Sequence, residues 1–313
     1  MPQGGLAHRW PTDRGVRIGT ARPPNRSPEV RAAASGQQWS HTDDGGGWQP
    51  VVEVFNGSCW NTCKRRMAVS DASVFLLAEV RLLPHEVAAA IAWCRRRGFT
   101  ALIEPAAPSS LGGMPSGGVA IVAKAELGLV PACGLDTRIA PHRAIGGAID
   151  VPTVGHVALV AVYLDVADKW GSGNLAIMAQ VGAFLSTAEL PFVVGGDFNN
   201  DPATCADLSF HEWLGSVVVA PETGTCRSSA GAWSVIDYAI VNASLAWFVQ
   251  KVTVDDSWPA GPHRPVRYLM HGDIGNKVAL AFPKTVRYPT DAPLGPAPRP
   301  QSFRRAGRAA WSA

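Results

Sequence analysis

No run of about 18 uncharged apolar residues occurs anywhere in the chain, so no segment has the length of a membrane-spanning helix. The N-terminus, Met1-Pro2-Gln3-Gly4-Gly5, lacks the charged-then-apolar order of a secretory signal. The expectation is a soluble, intracellular protein with no membrane insertion. Cysteine is sparse: of the six, at 59, 63, 94, 133, 205 and 226, only Cys59 and Cys63 stand close, at a spacing that makes no paired zinc knuckle. They read as reduced thiols. Gly112-Gly113 and Gly117-Gly118 flank Pro115, but the phosphate-cradling order Gly-x-x-x-x-Gly-Lys-Ser/Thr is missing.

Charge is also scarce, at 17% of residues, and unevenly placed. Residues 1–48 carry six Arg against four acids, and 274–313 carry seven basic residues against one acid. The middle holds fifteen basic and twenty acidic residues, so it is net acidic although the chain totals +3. A protein gripping nucleic acid by charge alone would have the opposite balance, which leaves that work to the C-terminal tail or to bound cations.

The chain is long enough, at 313 residues and 47% hydrophobic, for one large core. Residues 1–48 are rich in Gly, Pro, Arg and Ser without a sustained period, and they read as a disordered leader. The acids Asp13, Glu29, Asp43 and Asp44 argue against a transit peptide. Residues 274–313 form a basic Pro/Arg-rich tail, typified by Pro293-Leu294-Gly295-Pro296-Ala297-Pro298-Arg299-Pro300. One domain is expected over 49–273.

Within it, apolar runs of strand type occupy 51–55, 74–77, 101–104, 119–123, 157–163, 191–194, 235–241, 249–254 and 266–270. Helical patterns span 84–97, with Pro near the first turn and Arg95-Arg96-Arg97 as a solvated end, and 174–185. Many strands and few helices predict sheets packed face to face with helices outside. Trp60, Trp93, Trp213, Trp233 and Trp247 sit among apolar neighbours and are expected to pack.

The sharpest local signal is Phe192-Val193-Val194-Gly195-Gly196-Asp197-Phe198-Asn199-Asn200, an apolar strand that stops at two glycines and delivers a carboxylate and a carboxamide to a loop. Two apart on an extended chain, Asp197 and Asn199 would share a face. Asn56 closes the first strand, and Glu79 and Arg81 close the next, a carboxylate suited to a hard cation beside a guanidinium suited to a phosphate oxygen. Downstream, Asp237 in Ser234-Val235-Ile236-Asp237-Tyr238 and His263 in Gly261-Pro262-His263-Arg264-Pro265 supply the parts of an oriented imidazole base.

Taken in this order, the residues from about Val51 to Met270 resemble the endonuclease/exonuclease/phosphatase superfamily, and in motif style its abasic-site and non-LTR retrotransposon endonuclease domains. The resemblance implies an α/β fold, a four-layered sandwich of two mixed β-sheets flanked by helices (DNase I-like). It also implies hydrolysis of phosphoester bonds with Mg²⁺ or Mn²⁺. Carried across, Asn56 matches the first-strand Asn and Glu79 the metal-binding Glu, although Ala78 stands where Gln is usual. Tyr163 matches the active-site Tyr of the abasic-endonuclease branch. Asp197 and Asn199 match the pair that activates water and binds phosphate, and Asp237 matches the acid that orients the histidine, His263.

One departure matters. The resemblance calls for an Asp immediately before the histidine, and Pro262 stands there instead. Its loss removes a negative charge and is expected to weaken cation affinity. Asp255 and Asp256, a few residues upstream, are the candidates to replace it. The leading expectation is an endonuclease acting on nucleic acid; the alternatives are a hydrolase of a small phosphoester and a sandwich that has lost catalysis. Nothing in the sequence indicates a protein partner.

Overall fold

The computed structural model describes residues 50–109, 113–151, 154–259 and 261–271; the leader, 1–48, and the tail, 274–313, lie outside the described residues. In chain order the strands are β1 Val51–Asn56, β2 Val74–Ala78, β3 Phe99–Glu104, β4 Val119–Lys124, β5 Arg138–Ala140, β6 Ala144–Val151 and β7 Gly155–Tyr163. They continue as β8 Phe192–Asp197, β9 Ser216–Val219, β10 Cys226–Arg227, β11 Trp233–Ser234, β12 Asp237–Asn242, β13 Val249–Val254 and β14 Val266–Met270. The three longest helices are α1 Trp60–Val69, α2 Val87–Arg95 and α3 Ser172–Ala188.

Two six-stranded mixed sheets result, ordered β13-β14-β1-β2-β4-β3 and β5-β6-β7-β8-β12-β9. Each contains one parallel pair near its centre, β1 with β2 and β7 with β8. Those central strands are near-continuous apolar runs because both faces are covered, and β1, β2 and β8 are buried along their whole length. One apolar cluster fills the space between the sheets, from Val54, Leu76 and Ile121 to Leu159, Val193 and Val241. A second packs α3, through Met178, Val181 and Leu185, on the outside of the β7–β8 sheet. A third packs α1 and α2, through Cys63, Met67, Ala90 and Cys94, on the outside of the β1–β2 sheet. The layers are therefore helix, sheet, sheet, helix, as the resemblance implied.

Helix α1 was not expected from the sequence. Its inward face holds Thr62 and Arg66 beside Trp60, Cys63 and Met67, which breaks the apolar period. Arg66 belongs there because Glu53, fully buried in mid-β1, needs it: Nε and Nη2 donate to the two carboxylate oxygens at 2.7 and 2.8 Å. Trp60 is buried as expected, but Trp213, Trp247 and Trp233 are 84, 75 and 41% exposed, which corrects the packing role given to them. Their apolar neighbours in sequence belong to short helices and a hairpin, where adjacent residues do not share a face. Among the described residues no helix is long and apolar enough to cross a membrane.

Candidate active site

Both parallel pairs run toward one edge of the sandwich, and the candidate residues lie at the carboxyl ends of those strands. Asn56 ends β1, Glu79 follows β2, Tyr163 ends β7 and Asp197 ends β8. Open α/β sheets place ligands at such ends, where helices and loops diverge and leave space. The antiparallel strand β12 enters from the same edge, so that its first residue, Asp237, sits in register with Asp197.

The two glycines before Asp197 are needed for close approach. A Cβ on Gly196 would stand 1.8 Å from the carbonyl oxygen of Val162, its register partner on β7. No side chain fits there, and the tight β7–β8 spacing is what brings Tyr163 opposite Asp197.

Asp197 and Asn199 do converge, but not by strand alternation. Strand β8 ends at Asp197, and Asn199 turns back with a left-handed φ of 52°. Its backbone N–H donates to Asp197 Oδ1 at 3.0 Å, while its side-chain Nδ2 donates to the Leu164 carbonyl at 2.8 Å. Asn199 thus ties the β8 loop to the end of β7, and its amide group is already engaged. Glu79 and Arg81 likewise lie past β2, each with φ of 50°. Three left-handed non-glycine residues at one site are backbone strain held by the surrounding fold.

From these positions a continuous polar chain forms. Arg81 Nη2 donates to Glu79 Oε1 at 3.0 Å, and Tyr163 Oη donates to the same oxygen at 2.8 Å. Asn56 Nδ2 donates to Asp197 Oδ2 at 2.8 Å. His263 Nδ1 meets Asp237 Oδ2 at 2.9 Å, and its Nε2 stands 3.9 Å from Asp197 Oδ2. Donor atoms of Asp197, Asp237 and His263 all lie within 4.8 Å of one another, and all three residues are buried.

The electrostatics follow from crowding two acids and one base away from water. Burial, with repulsion from Asp237, pushes the Asp197 carboxyl up to about 7, against the attraction of His263. Burial opposes charge on His263, yet the Asp237 carboxylate outweighs it and holds the imidazole well above its ordinary value. Burial also works against Glu79, but hydrogen bonds from Arg81 and Tyr163 prevail and keep that carboxyl below its usual range. The Tyr163 phenol is pushed up by burial and by Glu79, so it stays a donor.

Several contributors were not evident in the sequence. The short hairpin β10–β11 brings residues 225–227 alongside 262–264: Arg227 N–H donates to Pro262 O at 2.9 Å and Arg264 N–H to Thr225 O at 2.8 Å. Cys226 thereby faces His263. Thr225, fully buried, accepts at Oγ1 from the N–H groups of Ile236 and Asp237 at 3.1 and 3.0 Å and so anchors the start of β12. The turn-rich run Ser228-Ser229-Ala230-Gly231 was the available signal for this hairpin. Basic side chains also gather on the rim although the domain is acidic overall. Arg143 lies over the Tyr163 ring at 4.8 Å, Lys169 Nζ donates to Asn199 O at 3.1 Å, and Arg264 lies over Trp233 at 3.5 Å.

Neither candidate replaces the acid missing at Pro262. Asp255 Oδ2 accepts from Arg66 at 2.6 Å, and Asp256 pairs with Arg264 at 2.8 Å. Both are turned toward guanidinium groups that outcompete a distant imidazole.

No protein-family model matches the sequence, and no curated protein matches it either. Solved structures do. The endonuclease domain of TRAS1, a telomere-specific non-LTR retrotransposon, superposes with a TM-score of 0.52 at 13% identity over 72% of this chain and 99% of that one. The AP endonuclease LMAP from Leishmania major gives 0.53 at 14%, covering 71% and 88%. The 3' phosphatase NExo from Neisseria, bound to a product DNA hairpin, gives 0.51 at 18%, covering 71% and 99%. The layers, the strand order and these superpositions agree that the chain has a DNase I-like fold, an α/β sandwich of two mixed sheets.

Proposed function

We propose that the protein is a divalent-metal-dependent phosphodiesterase whose substrate is nucleic acid. The observation that carries this reading is the pair formed by Asp197 and the His263–Asp237 couple at the meeting strand ends, one acid near neutrality beside one charged imidazole. Asp197 is suited to take a proton from an attacking water, because a general base is most effective when its pKa lies near the working pH. Asp237 keeps the His263 Nδ1 proton in place, which directs Nε2 toward a phosphoryl oxygen to donate a hydrogen bond. Asn56 holds Asp197 Oδ2, so Asp197 meets the water in one orientation.

The donor set fits a hard cation. Glu79 is held as a carboxylate, and Asp237 Oδ1 is buried without a hydrogen-bond partner. Glu79 would hold Mg²⁺ or Mn²⁺, with Asn56 alongside, and the ion would offset negative charge gathering on the phosphate. Arg81, beside Glu79, and Tyr163 are placed to contact the same phosphate. Lys169 lies on the rim with Arg143 and Arg264, each of these arginines paired with an acid, Asp165 and Asp256, and nucleic acid is favoured over a small ester because the structural neighbours include endonucleases and a phosphatase holding DNA.

The test is cleavage of supercoiled plasmid and of bis-p-nitrophenyl phosphate with Mg²⁺, Mn²⁺ or EDTA. Wild type is expected to cut plasmid only with metal, and Asp197→Ala and His263→Ala to lose about 10²–10⁴-fold. Pro262→Asp is expected to raise the rate at limiting metal by restoring the missing charge. Plasmid cleavage unchanged in both alanine variants would sink the proposal.

A further inference from the structure

The helical layer outside the β1–β2 sheet carries a basic groove that the candidate active site does not use. On α1, Asn61, Lys64, Arg65 and Ala68 follow the i, i+3, i+4, i+7 spacing of one helix face, turned away from the buried Trp60, Cys63 and Met67. That face lines a groove of about 360 Å³, with Trp93 and Arg97 forming its α2 wall. Arg97 is held in place: its guanidinium lies over the Trp93 ring at 4.4 Å, and Trp93 meets the buried Trp60 edge-on at 6.0 Å. Stacked in this way, the guanidinium keeps its edge donors free for an anion. Arg95 and Arg96, both exposed, continue the positive front past the groove.

Five cations thus gather on a domain that is net acidic, and none of them forms an ion pair with a carboxylate among the described residues. The Ala125 N–H donates to the Gly98 carbonyl and brings Lys124 and Glu126 to the same turn, where their charges offset each other. Carbonyls at the C-terminus of α2 favour basic residues, which accounts for Arg95 and Arg96. Lys64 and Arg65 stand in the middle of α1, where no such effect acts, and they face Arg97 across the groove. Repulsion among like charges is relieved by an anion from outside the chain.

We infer that this groove binds the phosphate backbone of nucleic acid, as a contact surface additional to the candidate active site. A small phosphate would need only the groove, whereas Arg95 and Arg96 extend the front and suit a polymer. An acidic protein segment would want an apolar anchor pocket, and among the described residues Ala68 is the single aliphatic side chain in the lining. Helix α1 starts four residues after Asn56, so the groove begins near the candidate site and runs away from it along the outer layer. A polymer held at the strand ends can continue into it. Contacts to phosphate add affinity without sequence preference. The choice of nucleic acid rests on the proposed phosphodiesterase activity, but binding is separable from cleavage.

The test is fluorescence anisotropy of a labelled duplex of about 20 base pairs with the full-length protein in EDTA, where nothing is cut, over a range of salt concentration. Each phosphate contact removed is expected to reduce the slope of log affinity against log salt by about 0.9. The triple variant Lys64→Gln, Arg65→Gln, Arg97→Gln should therefore lose about 2–3 in slope and about tenfold or more in affinity at low salt, with its circular dichroism unchanged. Lys251→Gln, on β13 at the other edge of the sheet, should lose neither. An unchanged slope in the triple variant overturns the groove. Displacement of the duplex by a glutamate peptide of equal charge assigns the groove to an acidic protein segment and overturns it too. A duplex that the groove binds but that is never cut with Mg²⁺ or Mn²⁺ upholds this inference and refutes the phosphodiesterase; plasmid cutting with the slope unchanged in the triple variant does the reverse.

Discussion

The molecule buries acidic groups in two places and treats them in opposite ways. In mid-β1, Glu53 is fully enclosed, and both of its carboxylate oxygens meet donors: Arg66 binds it through two nitrogens and Ser70 Oγ donates at 2.9 Å, with Arg267 Nε 3.9 Å away. At the ends of β8 and β12, Asp197 and Asp237 are just as enclosed but share one imidazole, and Asp237 Oδ1 has no partner. A matched acid contributes to holding α1 on its sheet. An under-matched pair stores unfavourable charge that a proton, a cation or a substrate can relieve, and sites of that kind are where function concentrates.

The comparison breaks most severely at Arg66. In Arg66→Met, Glu53 is left buried with only Ser70 and a distant Arg267, and the loss expected is about 3–5 kcal/mol, read from the midpoint of urea denaturation. A change below about 1 kcal/mol would mean that the Glu53–Arg66 pair contributes no more than an exposed one and that the two acid clusters are alike.

A smaller effect distinguishes the second cluster by pH. The Asp197 carboxyl rises from 3.8 to about 7 on folding. Its protonated form is thus favoured in the folded state, so its contribution to stability is complete below 3.8 and is lost as pH rises through about 7. Metal-free wild type is expected to lose thermal stability across that interval relative to Asp197→Asn. Parallel curves for the two proteins would show that Asp197 is not strained by its neighbours.

The smallest effect falls on Glu79, which is more open to solvent and paired with Arg81. Glu79→Gln should raise the Mg²⁺ concentration giving half-maximal cleavage by about tenfold, with the fold unchanged by circular dichroism. An unchanged metal requirement would move the cation to the Asp237 side of the site.

Much of this was legible in the sequence, for physical reasons that differ from place to place. The central strands announced themselves because burial on both faces demands unbroken apolar runs, as in Val74–Ala78. Strand β6 escaped notice because Gly146 and Gly147 lie in its middle; a Cβ on Gly146 would stand 2.5 Å from the Phe184 ring of α3. Glycine there records a close approach between layers, a contact about 38 positions away along the chain that no local pattern encodes. The eight candidate site residues do come together at one edge, since strand direction already assigned each to a strand end.

What the sequence determined by itself was chemistry and order: which residue types stand at the ends of which apolar runs, and that an acid is missing before His263. Tertiary structure decided the partnerships. It sent Asp255 to Arg66 and Asp256 to Arg264, turned the Asn199 amide onto Leu164, and laid Cys226 against a histidine that comes 37 residues later. Such choices depend on which donor wins a given acceptor once water is gone, and that competition exists only after the sheets have closed.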